Sequence, residues 1–217
     1  MKPEKVVYFA ILFIILEIST GCSVKNGSIT GTHSTQPTSA TLGTIDPHTE
    51  TAFNAYPRAK EDALKWNEHA ILYQIPSTRL MEKNLGLSGG GPAGWFFMFK
   101  VPGSPVELYV EIVNNKLYGR TEAQPVIIGE PKYKNNPIDL NKELLDSDKA
   151  LDVYLNDGGK DYFSTHKNVD LDYRLVYLEG TNDPIWSIFD ASDLATPLYD
   201  VDAVTGKKTQ DPYSQVK

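Results

Sequence analysis

The 217-residue chain has a single cysteine, Cys22, so no internal disulfide can hold it and any stable fold must come from packing. It has four histidines. Two of them, His33 and His48, stand in a Ser/Thr-rich stretch, which leaves His69 and His166 for the rest of the chain. That is thin material for nucleophilic catalysis, which needs a base beside Ser or Cys, and no Gly-x-Ser-x-Gly elbow occurs. A basic excess is also missing. With 21 Lys and Arg against 28 Asp and Glu the formal charge is −7, which argues against nucleic acid, whose phosphates call for a basic face, and against direct adhesion to anionic headgroups. No apolar run is long enough to span a bilayer. The longest, Val6 to Leu16, follows a short basic start at Lys2 and Lys5 and rises about 16 Å as a helix, roughly half of a hydrocarbon core. It reads as the core of a signal peptide.

Directly after it comes Ile18-Ser19-Thr20-Gly21-Cys22, which resembles the lipobox of bacterial lipoproteins. The resemblance implies cleavage after residue 21, lipidation of the Cys22 thiol and attachment to a membrane. The alternative is an ordinary cleavage site with an unpaired thiol beside it. Ser23 follows the cysteine and no Asp retention signal is present. The implied address is the outer membrane facing the periplasm in a host with two membranes, and otherwise the outer face of the cell membrane. Residues 22–50 are rich in Ser, Thr, Gly and Pro and read as a flexible tether, since nothing there buries enough surface to offset the entropy of ordering it.

The remaining chain carries all three tryptophans and repeats one layout. Trp95 to Lys116 lines up without a gap on Trp186 to Lys207, at a constant offset of 91 residues. Each copy opens on Trp and an apolar run, crosses a turn containing Pro and returns as an alternating strand. Val110 then matches Val201, Glu111 matches Asp202, Val113 matches Val204 and Lys116 matches Lys207. Asn114-Asn115 and Thr205-Gly206 end the return strands with residues that tolerate the positive φ of a tight turn into a further strand.

Ala59, Ala63, Trp66, Ala70 and Tyr73 recur at helical spacing and predict an amphipathic helix over Tyr56 to Tyr73, with Pro57 near its first turn. Asp146 to Asp157 predicts a second helix, capped by Asp146 or Ser147 and closed by Gly158-Gly159, with Ala150-Leu151 matching Ala63-Leu64. Val169 to Leu178 alternates as a half-buried strand, for which Thr78 to Asn84 is the first half's poorer equivalent. The predicted fold class is α+β, with two repeated units at 51–130 and 131–217. Each is a helix on an antiparallel sheet of about three strands, with the other sheet face left wet.

The second half resembles the PepSY family of extracytoplasmic modules. The resemblance rests on the helix start Asp146 to Leu151, on Gly158-Gly159, on Pro184-Ile185-Trp186, and on the ending Val201-Asp202-Ala203-Val204-Thr205-Gly206-Lys207. It implies a helix-on-sheet fold in the envelope or beyond and a role in binding or inhibiting peptidases, with no family catalytic residues.

Few residues invite a site. The glycine-rich Ser88 to Gly94, centred on Gly90, lacks the Lys-Ser/Thr of a phosphate loop and precedes a strand, so it reads as a connection or a partner-contact loop. Asp170, Asp172, Asp200 and Asp202 fall on outward strand positions, with Glu107 and Glu111 as first-half counterparts. They form either a solvated face or a surface for a basic partner, and the spacing of a calcium loop is absent. Together with Trp95 and Trp186 these residues make up the candidate partner surface. No catalytic residue, cofactor or metal site is expected. The leading function is a lipid-anchored, non-catalytic binding module for an extracytoplasmic protein or peptide. The alternatives are an envelope hydrolase or small-ligand-binding protein with its site between the units, and a purely structural envelope protein. Cys22→Ser is expected to abolish palmitate labelling and release the chain from membranes, and globomycin to accumulate the uncleaved precursor. Unchanged processing and membrane retention in both experiments would overturn the anchor.

Overall fold

A computed structural model describes residues 50–84, 93–124 and 133–209. Cys22, Gly90 and the tether up to residue 49 lie outside the described residues. The fold is α+β: two longer helical segments lie on one face of an antiparallel sheet of eight strands, and one short helix packs on the other.

The first helix, α1, runs over Ala52–Trp66. Thr51 caps it by accepting a hydrogen bond from the Asn54 amide at 3.2 Å. Its buried stripe is Ala52, Ala55, Ala59 and Ala63, small side chains that let the helix lie close on the sheet. It therefore begins and ends earlier than the periodicity of residues 56 to 73 predicts. Asn67 turns extended while its amide still bonds the Ala63 carbonyl, His69 falls in the following turn, and strand β1 occupies Ile71–Pro76. Thr78–Asn84, expected as a strand, is the short helix α2.

Strands β2 (Trp95–Lys100), β3 (Glu107–Val113) and β4 (Lys116–Ala123) follow as a meander. Asn114 and Asn115, with φ of 51° and 55°, make the tight turn between β3 and β4 that the sequence suggests. After the two-residue β5 (Tyr133–Lys134) comes α3, Ser147–Tyr154, with Asp146 as its N-cap. The glycine pair ends this helical path as expected: Asp157 and Gly158 leave helical geometry, Gly158 with φ of +99°, and after that kink a separate helix, α4, runs over Lys160–Thr165. Strands β6 (Leu171–Leu178), β7 (Ile185–Asp190) and β8 (Tyr199–Asp202) complete the chain.

The strand order is β4-β3-β2-β1-β6-β7-β8, with β5 paired to β6. Outward from the central β1 and β6, each side of the sheet therefore unrolls in chain order, and Pro76 stands opposite Arg174 at the middle. Trp95 and Trp186 hold comparable places, but the return strands do not keep the offset of 91. Val110 pairs with Phe97 and Tyr199 pairs with Ile188, so the structural partner of Val110 is Tyr199, and Ile112 corresponds to Val201. The second hairpin is two residues out of step with the ungapped alignment. Because two is the period of a strand, each side chain keeps its face. The helix starts correspond through the caps Thr51 and Asp146, which sets Ala55, not Ala63, beside Ala150.

The core forms where these halves meet. Trp95 and Trp186 are fully buried and pack edge to face with centroids 6.0 Å apart, and Tyr173 and Phe53 lie against them. Each indole N–H donates to the carbonyl just before a helix cap: Trp95 to Glu50 at 2.9 Å and Trp186 to Leu145 at 2.8 Å. The two helix starts also meet. Asp146 Oδ1 accepts from its own helix at Ser147 N, 2.7 Å, and from α1 at Phe53 N, 3.0 Å, while Ser147 Oγ accepts from Ala52 N at 3.0 Å. One Asp-Ser pair thus satisfies orphan amides of both helices. Asp146→Ala should lower unfolding free energy by about 2 kcal/mol in urea titration. Asp148→Ala, two residues further along in the same first turn, should change it by about 0.5 kcal/mol or less. Equal losses would show that the shared cap adds nothing.

Candidate functional site on the second sheet face

On the face away from α1 and α3, where α2 packs, β6 presents Asp172, Arg174, Val176 and Leu178, and β7 presents Ile185, Ser187 and Phe189. All of these are buried, so the expected wet face is covered. The apolar members explain why: Val176, Leu178, Ile185 and Phe189 share this face with the polar ones and need cover.

Arg174, Ser187 and Asp200 face one another across β6, β7 and β8. The Arg174 guanidinium lies over the rings of Tyr133 at 4.8 Å and Phe189 at 5.5 Å, a cation between two π faces. Its Nε and the Ser187 Oγ are buried and have no hydrogen-bond partner among the described residues. Toward β1, Ser77 Oγ donates to Asp172 Oδ1 at 2.8 Å and accepts from Tyr173 N at 3.2 Å. Arg79 bonds Asp170 at 3.0 Å and approaches Asp172 at 3.6 Å. The Asp170 side chain is 49% exposed and that of Asp172 only 2%, so this ion network runs from the surface inward.

The carboxylates predicted to share an outward surface are therefore separated by role. The Asp170 side chain reaches solvent. Asp172 and Asp200 are buried in the sheet, and Asp202, half-buried, accepts from Val204 N and Thr205 N to shape the turn before Gly206. Trp95 and Trp186 are corrected most firmly, because full burial against each other removes them from any partner surface and fills the space where a pocket between halves was expected.

In the first half Glu107 is buried and accepts from Tyr73 Oη at 2.6 Å and Tyr109 Oη at 3.0 Å. Burial, followed by the Glu107 bond, holds the Tyr73 phenol protonated far above its ordinary range. At the far end Tyr199 donates to Asp157 at 2.6 Å, and burial and then that bond push it up as well. Burial also raises Tyr154, to about 12. Its hydroxyl has no hydrogen-bond partner among the described residues. Both histidines are exposed, His166 stacked on Tyr162 with centroids 4.0 Å apart. Among the described residues no group of His, Cys, Asp or Glu is placed to hold a metal ion. No helix among them is long and apolar enough to cross a membrane.

The polar network escaped sequence reasoning because buried and exposed acids look alike in an alternating strand. A usable signal was present in the valine, leucine and phenylalanine of the same face.

No family model and no curated protein matches the chain. Among solved structures, that of a putative lipoprotein from Clostridium difficile 630 is similar over 71% of this chain and 90% of that one, with 11% identity and a TM-score of 0.44. A likeness so distant carries no function across.

Tyr73, Tyr154 and Tyr199 all hold their protons more tightly folded than unfolded. Their stabilisation is complete below the ordinary phenol value of about 10 and is lost as pH rises past it toward the folded values. Unfolding free energy should be level to about pH 9 and fall through pH 10 to 12. Tyr154→Phe should leave neutral stability unchanged or raised and flatten the alkaline limb. Equal stability at pH 8 and 11 would contradict the assignment.

Proposed function

We propose that the protein is a lipid-anchored cell-envelope protein acting as a non-catalytic binding module for an extracytoplasmic protein or peptide. The basic start, the short apolar run and the pentapeptide ending at Cys22 support the anchor. They also support a place at the outer membrane facing the periplasm, or at the outer face of the cell membrane in a host with one membrane. The PepSY resemblance of the second half supports a peptidase-binding or inhibitory form of that role, and the paired tryptophan-led hairpins support descent from a duplicated unit.

The observation that carries the binding reading is the inequality of the sheet's two edges. Edge strand β8 is short and partly covered: Val201 bridges Lys208, Asp202 N bonds the Lys207 carbonyl, and Thr209 N bonds that of Asp200. Strand β4 is eight residues long and exposed over most of its length, and its outer edge has no partner strand among the described residues. Natural sheets rarely leave such an edge bare, and an extended segment from another chain can extend it with main-chain hydrogen bonds. Two of the large exposed apolar side chains, Leu117 at 52% and Tyr118 at 62%, stand on this strand.

A photo-crosslinking amino acid placed at Tyr118, with the same probe at exposed Val204 as control, tests the reading in whole cells. The expected result is a discrete protein adduct at 118 and none at 204. Equal labelling at both positions, or none at 118, would sink the β4 interface.

A further inference from the structure

Beside the start of β4 lies a groove of about 320 Å³ lined by Arg58, Glu61, Asp62 and Lys65 of α1 and by Asn115, Lys116 and Leu117 of the β3–β4 turn. Its charges are not equally engaged. Lys65 is held by Glu61 at 2.8 Å, and Asp62 and Glu122 are met by Arg120 at 3.6 Å and 2.8 Å. Arg58 and Lys116 make no ion pair among the described residues, although the chain carries a net charge of −7 and acids are plentiful. The groove lining thus carries three cations against two acids, and Arg58 and Lys116 stand outside any ion pair among the described residues, Arg58 acting on Glu61 only at longer range.

The strand and the groove are joined by a bulge. Glu111 pairs with Gly119 and Ile112 with Leu117, which leaves Tyr118 as the extra residue, and bulges of this kind bend an edge and terminate regular pairing. An added strand thus has a regular ladder along Gly119 to Ala123 and loses it at Tyr118, where the groove opens. Neighbouring strands of this sheet are all antiparallel, and continuing that pattern sends an added peptide toward the Lys116 end of β4 with its C-terminus leading. The terminal carboxylate then arrives between Arg58 and Lys116, with Leu117 forming an apolar wall for the last side chain.

We infer that β4 and this groove together form a receptor for the free C-terminus of an extended peptide. Main-chain pairing supplies the binding surface, and Arg58 with Lys116 recognises the α-carboxylate. The inference rests on the binding-module reading and names its ligand class.

The test is a titration of the isotope-labelled full chain in detergent, followed by amide NMR. The probe is a random hexapeptide pool prepared in two forms, free C-terminal acid and C-terminal amide. The acid pool should shift the amides of Lys116 to Ala123, and the amide pool should bind about tenfold more weakly. The double change Arg58→Ala and Lys116→Ala, at two exposed positions, should cost the acid pool about the same factor and leave the amide pool unaffected. Equal affinity of the two pools for β4 would overturn carboxylate recognition while leaving strand addition intact. Shifts confined to other strands, or none with either pool, would overturn both.

Discussion

Everything in the described fold converges on one junction, where two tryptophan indoles meet edge to face and two helices start nose to nose above them. The constraint is electrostatic as much as steric. Helix N-termini carry unsatisfied amides and partial positive charge, so bringing two together unaided would be unfavourable. Asp146 and Ser147 remove the difficulty by accepting from both helices, and each indole N–H fixes the carbonyl that leads into a cap. Thr51 and Ala52 hold the corresponding places in the first half, and only one member of each pair needs to reach across.

From that junction the sheet spreads to both sides, and its two faces take different duties. The helix side is a continuous apolar core whose alanine-lined α1 lies close on the strands. The other side mixes small apolar clusters with buried ions. Charged groups there are tolerable because they are used: Asp172 with Ser77 and Arg79, Glu107 with two phenols, Arg174 between two rings. A network committed to holding the sheet together is poorly placed for chemistry on a visiting molecule. That shifts attention to the β4 edge.

Much of this was legible in the residues. The Trp-led strands, their alternating returns, the asparagine turn and the Asp146 cap all appear where local pattern puts them, because each depends on neighbours in sequence. The misreadings share a cause in tertiary context. Strand β1 is six residues long and interrupted by a bulge near Gln74, so Ala70 and Tyr73 extend the helical period of α1 by accident. Gly158-Gly159 does act as the stop its composition suggests, and what the sequence does not show is that a second short helix follows the kink, with Gly159 pressed against Tyr154 too closely for any larger residue. The buried side of Asp172 and Asp200 could not be read from alternation, which reports two faces and not what covers them.

Glu50 holds a last consequence. Its carbonyl receives the Trp95 indole and its carboxylate binds the amides of Asn114 and Asn115, so the first described residue is moored simultaneously to the centre of the molecule and to the tip of a hairpin. Tension applied to the chain upstream would enter the body at the buried Trp95 indole instead of peeling a strand from the rim. A molecule loaded that way should resist mechanical extraction well beyond what its modest size suggests.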